Sequence, residues 1–290
     1  TDVFLKMEAL QPTGSFKIRG IGYACQRAAD KGVKHFVASS GGNAGLAVAY
    51  AGRQLGLPVT VFLPTSTPSL MIQRIKDEGA NIVVAGAVWD DAHLLALEQS
   101  RAPDHIYIPP FDLPDIWEGH STLVDELQEA GLRPDLIVLS VGGGGLLAGV
   151  LRGLERLKWT DIPIMTTETF GAASFARSLQ AGTPITLEKI DSVAHSLGAK
   201  KIADQVFDMA KRFRIHPELF SDRQAVDACL QFADDHRLLV EPACGAALAA
   251  AYQALPLLSS ARQVLIIVCG GSAVTLEKLR DWQAGLVSSI

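Results

Sequence analysis

The sequence predicts an α/β protein with two open parallel-sheet units, and three observations lead there. Short runs of apolar and β-branched residues alternate with longer stretches of helical periodicity through most of the 290 residues. A loop-like segment, Pro109 to Pro114 (PPFDLP), separates one such series from another. Glycine-rich turns stand where strand runs end and helical runs begin, which is where open α/β sheets meet their ligands.

Each element has its own signal. The chain opens on a strand-like run and then turns through Gln11 to Gly20 (QPTGSFKIRG). Val33 to Ala38 is predicted as a strand, Asn43 to Leu55 as a helix closed by Gly56 and Pro58, and Val59 to Leu63 as the next strand. Pro68 to Glu78 is a helix with proline at its start, followed by strand Asn81 to Ala85, helix Asp90 to Ser100 and strand His105 to Ile108. The second series has a helix to Ala130, strand Asp135 to Ser140, glycines 142 to 145, helix Leu146 to Leu157 and strand Ile162 to Thr167. Helix signals near Gln205 and Gln224 precede a small-residue helix after Pro242 and the strand Val264 to Val268. No fixed-period repeat is evident.

Composition bounds the function. With 48% apolar residues the chain can bury a large core. Its 26 Lys and Arg against 31 Asp and Glu leave a net charge of −5 with no basic run, which argues against nucleic acid or an anionic membrane and points to small-molecule partners. Cys25, Cys229, Cys244 and Cys269 lack C-x-x-C spacing, so a reducing, cytosolic location is expected, with neither a disulfide frame nor a zinc site. No run reaches transmembrane length and the first ten residues do not read as a signal peptide. There is no initiator methionine, and native residues are expected to precede Thr1.

Four stretches carry chemistry. Lys17 follows Phe16 and a small-residue turn, where a loop becomes a helix beside apolar surface. There an ammonium loses hydration, its pKa falls, and the neutral amine can attack a carbonyl; on the decapeptide alone an exposed helix-start lysine is the safer reading, and the other stretches shift the balance. Ser39-Ser40-Gly41-Gly42-Asn43-Ala44-Gly45 opens a helix with hydroxyl, amide and N–H groups suited to a carboxylate. Gly142 to Gly145 let the backbone wrap a phosphate at a helix start, although glycine turns are also common structural punctuation. Cys269-Gly270-Gly271-Ser272 ends a strand, and Cys269 reads either as a small buried apolar group or as a weak hydrogen-bond partner for a ring nitrogen. Neither the four-glycine stretch nor Ser39 to Gly45 has G-x-G-x-x-G spacing, which disfavours a nucleotide-binding oxidoreductase, and no P-loop ending is present.

An activated lysine, a phosphate cup, a carboxylate loop and a ring-nitrogen partner together describe a site for pyridoxal 5'-phosphate. The chain resembles the serine/threonine dehydratase group of the tryptophan synthase β-like, fold type II pyridoxal-phosphate enzymes. QPTGSFKIRG, SSGGNAG, PTSTPSLMIQRIKDEGA, VGGGGLLAG, ETFGAASF and CGGS fall in that group's order across nearly the whole chain. The resemblance implies a smaller domain, residues 11 to 112, that closes on substrate, and a larger cofactor-binding domain of residues 1 to 10 and 113 to 290. It implies that Lys17 forms the internal aldimine, with Phe16 on one face of the pyridine ring and Ser196 on the other. Gly142, Gly143, Gly144 and Gly145 would bind the phosphate, Asn43 the ring hydroxyl, and Cys269 or Ser272 the ring nitrogen. Ser40, Gly41 and Asn43 would hold the substrate carboxylate. Glu168, Ala172, Ser174, Leu197 and Ala199 match positions that ligate a monovalent cation, potassium, in some members; Glu168 reads equally as a helix cap, and His195 as a surface or packing histidine.

The implied reaction is β-elimination of water from L-serine or L-threonine, giving pyruvate or 2-oxobutyrate and ammonia. The freed lysine would take the α-proton, with the cofactor phosphate as proton donor to the departing hydroxyl. A neutral thiol at the ring nitrogen suits elimination better than transamination. Lys17-Ile18-Arg19 and four glycines resemble cysteine synthases and threonine synthases less, yet another elimination or replacement enzyme of this fold stays open, as does a catalytically weak binding protein. Gly41 carries no serine side chain for racemisation, and it stands where several active serine dehydratases have alanine. The larger domain is expected to end near Ile290, without a regulatory extension or feedback by isoleucine. The two substrates differ by one methyl, worth only ~1 to 3 kcal/mol in a pocket, so they are not ranked. A homodimer is the family default.

Overall fold

The chain starts as strand β1 (Asp2–Lys6) and then leaves for a separate α/β unit. That unit runs α1 (Lys17–Asp30), β2 (His35–Ala38), α2 (Asn43–Leu55), β3 (Val59–Leu63), α3 (Ser69–Asp77), β4 (Asn81–Val84), α4 (Trp89–Gln99) and β5 (His105–Tyr107). Its four strands are all parallel, in the order β4-β3-β2-β5. Every residue of β3 is buried, as expected for a strand covered on both faces. Gly56 ends α2 in the left-handed conformation, so the predicted stop signal acts as one.

The second series continues with α5 (Pro114–Glu129), β6 (Leu136–Ser140), α6 (Gly145–Arg156), β7 (Ile164–Thr169), α7 (Ser174–Ala181), α8 (Asp204–Ala210), β8 (Ile215–Phe220), α9 (Asp222–His236), α10 (Pro242–Tyr252), α11 (Pro256–Ser260), β9 (Gln263–Ile267) and α12 (Leu276–Leu286). A five-stranded parallel sheet in the order β1-β9-β6-β7-β8 organises it. The Ala-rich α10 is buried through Ala250. A helix apolar on all sides has nowhere else to go. Ser221 and Gln224 form a reciprocal capping box at the start of α9.

The computed structural model describes residues 1–286, and these fall into two compact units, Gln11–His120 on the one hand and Thr1–Leu10 with residues 121–286 on the other. The division lies inside α5, because its first turns pack within the Gln11–His120 unit: Trp117 donates its Nε1–H to the Phe111 carbonyl at 2.7 Å, and His120 meets Gly20. Strand β8 was not anticipated. Its sequence, IHPELF, has Pro217 and two polar residues where a strand signal needs β-branched alternation, and it sits at the sheet edge, where proline is tolerated. No helix among the described residues is long and apolar enough to cross a membrane.

Candidate active site

In the Gln11–His120 unit, a turn at Gln11–Gly14, closed by the Gly14 N–H to the Gln11 carbonyl at 2.7 Å, delivers Phe16 and Lys17 to the start of α1. Lys17 is the first residue of that helix. Its Nζ donates to the Pro110 carbonyl at 2.5 Å and lies 5.2 Å from the centroid of the Phe16 ring. The Phe16 ring in turn tilts against His120, 4.9 Å away. The second predicted loop makes the turn into α2: Ser40 Oγ accepts the Gly42 N–H at 3.3 Å, and Asn43, only 9% exposed, is the first helical residue. Beneath this loop Ser39 Oγ bonds Tyr107 Oη at 2.8 Å and His93 Nδ1 at 3.3 Å. Sequence reasoning missed that support, since lone residues at 93 and 107 carry no local motif.

In the other unit, Gly142 to Gly145 link β6 to α6. Gly144 is left-handed (φ 94°), and a side chain there would meet Val206 Cγ1 at 2.9 Å and Ile202 Cγ1 at 3.0 Å. A Cβ on Gly142 would lie 3.1 Å from both the Ser196 carbonyl oxygen and Leu197 Cα. Cys269, 7% exposed just after β9, stands 3.9 Å from Ser140 Oγ. Its hydrogen bond with Cys244, and next its burial, hold the thiol well above the ordinary thiol range, so it is neutral. Ser196, itself exposed on the 3-10 turn His195–Leu197, donates to Glu241 Oε2 at 2.5 Å, and Glu241 Oε1 accepts the N–H of Ala273, the neighbour of Ser272. Gly142, Ser196, Cys269 and Ser272 are thereby gathered around one end of the sheet. Glu241 is the residue the sequence did not flag.

The five positions matched to a cation divide differently. Glu168, 1% exposed on β7, accepts the N–H groups of Phe175 at 2.9 Å and Ala176 at 2.7 Å, so it caps α7. Burial pushes its carboxyl up to about 7, against the pull of those two N–H groups. Ser174 Oγ is fully buried with no hydrogen-bond partner among the described residues. Ala172 closes a 3-10 turn, while Leu197 and Ala199 lie on the Ser196 loop, where the Ala199 N–H reaches the Leu197 carbonyl at 2.8 Å. Among the described residues no three His, Cys, Asp or Glu side chains converge on a metal position. His195 packs edge-on to Trp282 at 6.0 Å.

Each unit, taken by itself, carries groups suited to part of a phosphorylated aldehyde cofactor with a pyridine ring. Gly142 packs closely on the Ser196 loop, and the left-handed Gly144 is the N-cap of α6, whose positive end favours an anion. A neutral thiol lies at the same strand ends, and Lys17 rests on a neutral carbonyl and an aromatic ring.

Comparison with known proteins agrees. The profile of the family described as pyridoxal-phosphate dependent enzyme matches residues 1–270. L-serine dehydratase/L-threonine deaminase of Homo sapiens is 50% identical over 290 residues, spanning 97% of this chain and 88% of that protein. L-serine dehydratase of Dictyostelium discoideum is 46% identical over 296 residues, spanning 96% and 85%. The crystal structure of a fungal L-serine ammonia-lyase from Rhizomucor miehei superimposes with a TM-score of 0.91 at 37% identity, covering 97% of this chain and 92% of that one.

Proposed function

The chain belongs to the pyridoxal-phosphate dependent enzyme family, and we propose that it is an ammonia-lyase that eliminates water from L-serine and L-threonine, releasing pyruvate or 2-oxobutyrate and ammonia. The observation that carries this reading is the extent of the likeness to an L-serine dehydratase/L-threonine deaminase: half the residues are identical over 97% of the chain.

Pyridoxal phosphate, when bound, supplies a carbonyl for amines and an electron sink for a carbanion at the substrate α-carbon. Lys17 would hold it covalently, Gly142 to Gly145 its phosphate, Asn43 its ring hydroxyl, and Phe16 and Ser196 its ring faces, with Cys269 or Ser272 at the ring nitrogen. Once its amine is free, Lys17 takes the substrate α-proton at Nζ, and its bond to the Pro110 carbonyl aims that nitrogen. Ser40, Gly41 and Asn43 orient the substrate carboxylate at the positive end of α2. Cys269 cannot lend the ring nitrogen a negative charge, because its thiol stays protonated. With the cofactor bound, a neutral thiol at this position would suit loss of the β-hydroxyl, protonated as it leaves as water, better than transamination.

We assign to the same reading a potassium ion at Glu168, Ala172, Ser174, Leu197 and Ala199, a cytosolic location, a homodimer, and a smaller domain that closes on substrate. The test is 2-oxo acid release by the purified protein with pyridoxal phosphate, L-serine and L-threonine being given separately in potassium buffer. Rapid release from either, lost in Lys17→Ala together with the visible cofactor absorbance, supports the lyase. A spectral response to serine without product would instead favour a binding protein or a replacement enzyme of the same fold.

A further inference from the structure

Glu241 occupies the N-cap position of α10, yet its side chain makes no cap bond to that helix. Its backbone carbonyl receives the Cys244 and Gly245 N–H groups, at 2.8 and 2.9 Å, and this frees the carboxylate to turn elsewhere. One oxygen takes the Ser196 hydroxyl hydrogen at 2.5 Å and the other the Ala273 N–H at 2.6 Å. The carboxylate is thus a bridge between two loops far apart in sequence, the 3-10 turn His195–Leu197 and the Cys269–Ala273 turn.

The turn is shaped to admit it. Gly270 and Gly271 are both left-handed, at φ 87° and 129°, and a Cβ on Gly271 would fall 2.2 Å from Glu241 Cδ. Glu241 is 4% exposed while Ser196 is open to solvent, so the pair runs from the interior to the surface beside Gly142. A buried carboxylate is tolerated when short, charge-assisted bonds satisfy its oxygens, and both partners here supply such bonds. Because the Ser196 hydrogen points at Glu241, the hydroxyl presents only lone pairs on its other side.

We propose that Glu241 is a positioning residue for the pyridine ring: through Ser196 and Ala273 it locks together the loop that offers a ring face and the turn that offers Cys269 and Ser272 to the ring nitrogen. The assignment rests on the cofactor reading above. Its chemical consequence is a ring held at fixed tilt, with Ser196 able to accept a hydrogen bond from the ligand but not to donate one.

Ser196→Ala, Ser196→Thr, Glu241→Gln and the double variant Ser196→Ala/Glu241→Gln test it. The readouts are the dissociation constant of pyridoxal phosphate, the visible circular dichroism of the bound cofactor, and the melting temperature of the apoprotein. Ser196→Ala should weaken cofactor binding by about 10-fold, the size of one hydrogen bond to a charged group, and reduce the visible dichroism while leaving apoprotein melting unchanged. Ser196→Thr, which keeps the hydroxyl, should restore both to within about 2-fold. The double variant should bind no more weakly than Glu241→Gln alone, since the two groups act as one unit. Unchanged affinity and dichroism in Ser196→Ala, or additive losses in the double variant, would overturn the bridge while the cofactor reading stands. Should Glu241→Gln fail to fold, the two Ser196 variants decide alone. A wild-type protein that takes up no pyridoxal phosphate overturns both readings.

Discussion

His120 Nδ1 accepts the backbone N–H of Gly20 at 3.1 Å, so a side chain from α5 satisfies a donor in the first turn of the helix that Lys17 opens. The helices cross on glycine: a Cβ on Gly20 would lie 2.4 Å from the Ile116 carbonyl oxygen and 2.6 Å from His120 Cε1. Gly20→Ala gains ~1 kcal/mol of helix propensity but must part α1 from α5 and break the imidazole bond, at ~1 to 3 kcal/mol for overpacking plus about 1 for the hydrogen bond. The net expectation is a loss of about 2 kcal/mol in urea unfolding. Stability equal to or above that of the wild type would show that the crossing relaxes freely.

The same histidine makes stability depend on pH. Burial, then the charges of Lys17 and Arg19, hold His120 well below its ordinary value of 6.5. The unfolded chain therefore binds a proton that the folded chain refuses: stability is complete above pH 6.5 and falls as pH drops from there toward the folded-state value, by up to about 1.4 kcal/mol per pH unit. His35 is lowered by burial and by the charge of His105, and His93 by burial partly offset by Asp90; being more exposed, they add less in the same direction. In apoprotein urea titrations between pH 7.5 and 5, His120→Asn, which keeps an acceptor for the Gly20 N–H, should show the shallower slope. Parallel slopes for variant and wild type would remove His120 from this account.

His120 also marks the limit of what the sequence discloses. The loops bearing Lys17, Asn43, Gly142 to Gly145 and Cys269 are legible because each joins a strand or turn to a helix through glycine and small residues, a local pattern that periodicity brackets. Helix α2 and strand β3 begin and end where periodicity and the Gly56-Leu57-Pro58 stop put them. Glu241, His120, His93 and Tyr107 are silent because their partners lie across the fold: Glu241 bonds a residue 45 positions away and Tyr107 one 68 positions away. Strand β8 was hidden by Pro217, whose penalty vanishes only because the strand is an edge.

At Gly41 the neighbour is Thr67. An added Cβ would meet Thr67 Cγ2 at 2.7 Å, Thr67 Oγ1 at 2.9 Å and Leu63 Cδ2 at 3.2 Å. Gly41→Ala should therefore act by turning the Thr67 side chain, with a stability loss of about 1 kcal/mol and a changed kcat/KM ratio for serine over threonine. Thr67→Ala removes both obstructing atoms, so the double variant should recover most of that stability. Strictly additive unfolding energies would mean the backbone, not Thr67, absorbs the methyl.

Glu168 and Ser174 make the potassium proposal testable without turnover. The Glu168 carboxylate is buried with its oxygens on two backbone N–H groups, and the Ser174 hydroxyl has no partner among the described residues. A cation ligated there should raise the melting temperature in potassium chloride by several degrees over tetramethylammonium chloride at equal ionic strength, equivalent to about 1 to 2 kcal/mol. Glu168→Gln, which retains an oxygen for the helix cap, should abolish the difference. Equal melting of the wild type in both salts would leave Glu168 as a cap alone.

With Cys269 proposed to face the ring nitrogen, its charge state should set the kind of electron sink the site offers. A carboxylate at the ring nitrogen would stabilise the protonated pyridine and hence a longer-lived carbanion, whereas a neutral thiol leaves the sink weak and favours loss of the β-hydroxyl. Cys269→Asp should raise transamination at the expense of elimination, read as the ratio of amino-transferred cofactor to 2-oxo acid per turnover. The new carboxylate would sit among Ser140, Cys244 and the charge of Glu241, where like charges and burial act against ionisation. Some loss of stability is expected, and part of the population will hold the acid in its neutral form. Cys269→Ser provides the control, being neutral and close in size, and should partition as the wild type does. If Cys269→Asp and Cys269→Ser give the same product ratio, charge at this position does not govern the partition, and the preference for elimination must come from how Lys17 and the carboxylate loop orient the substrate.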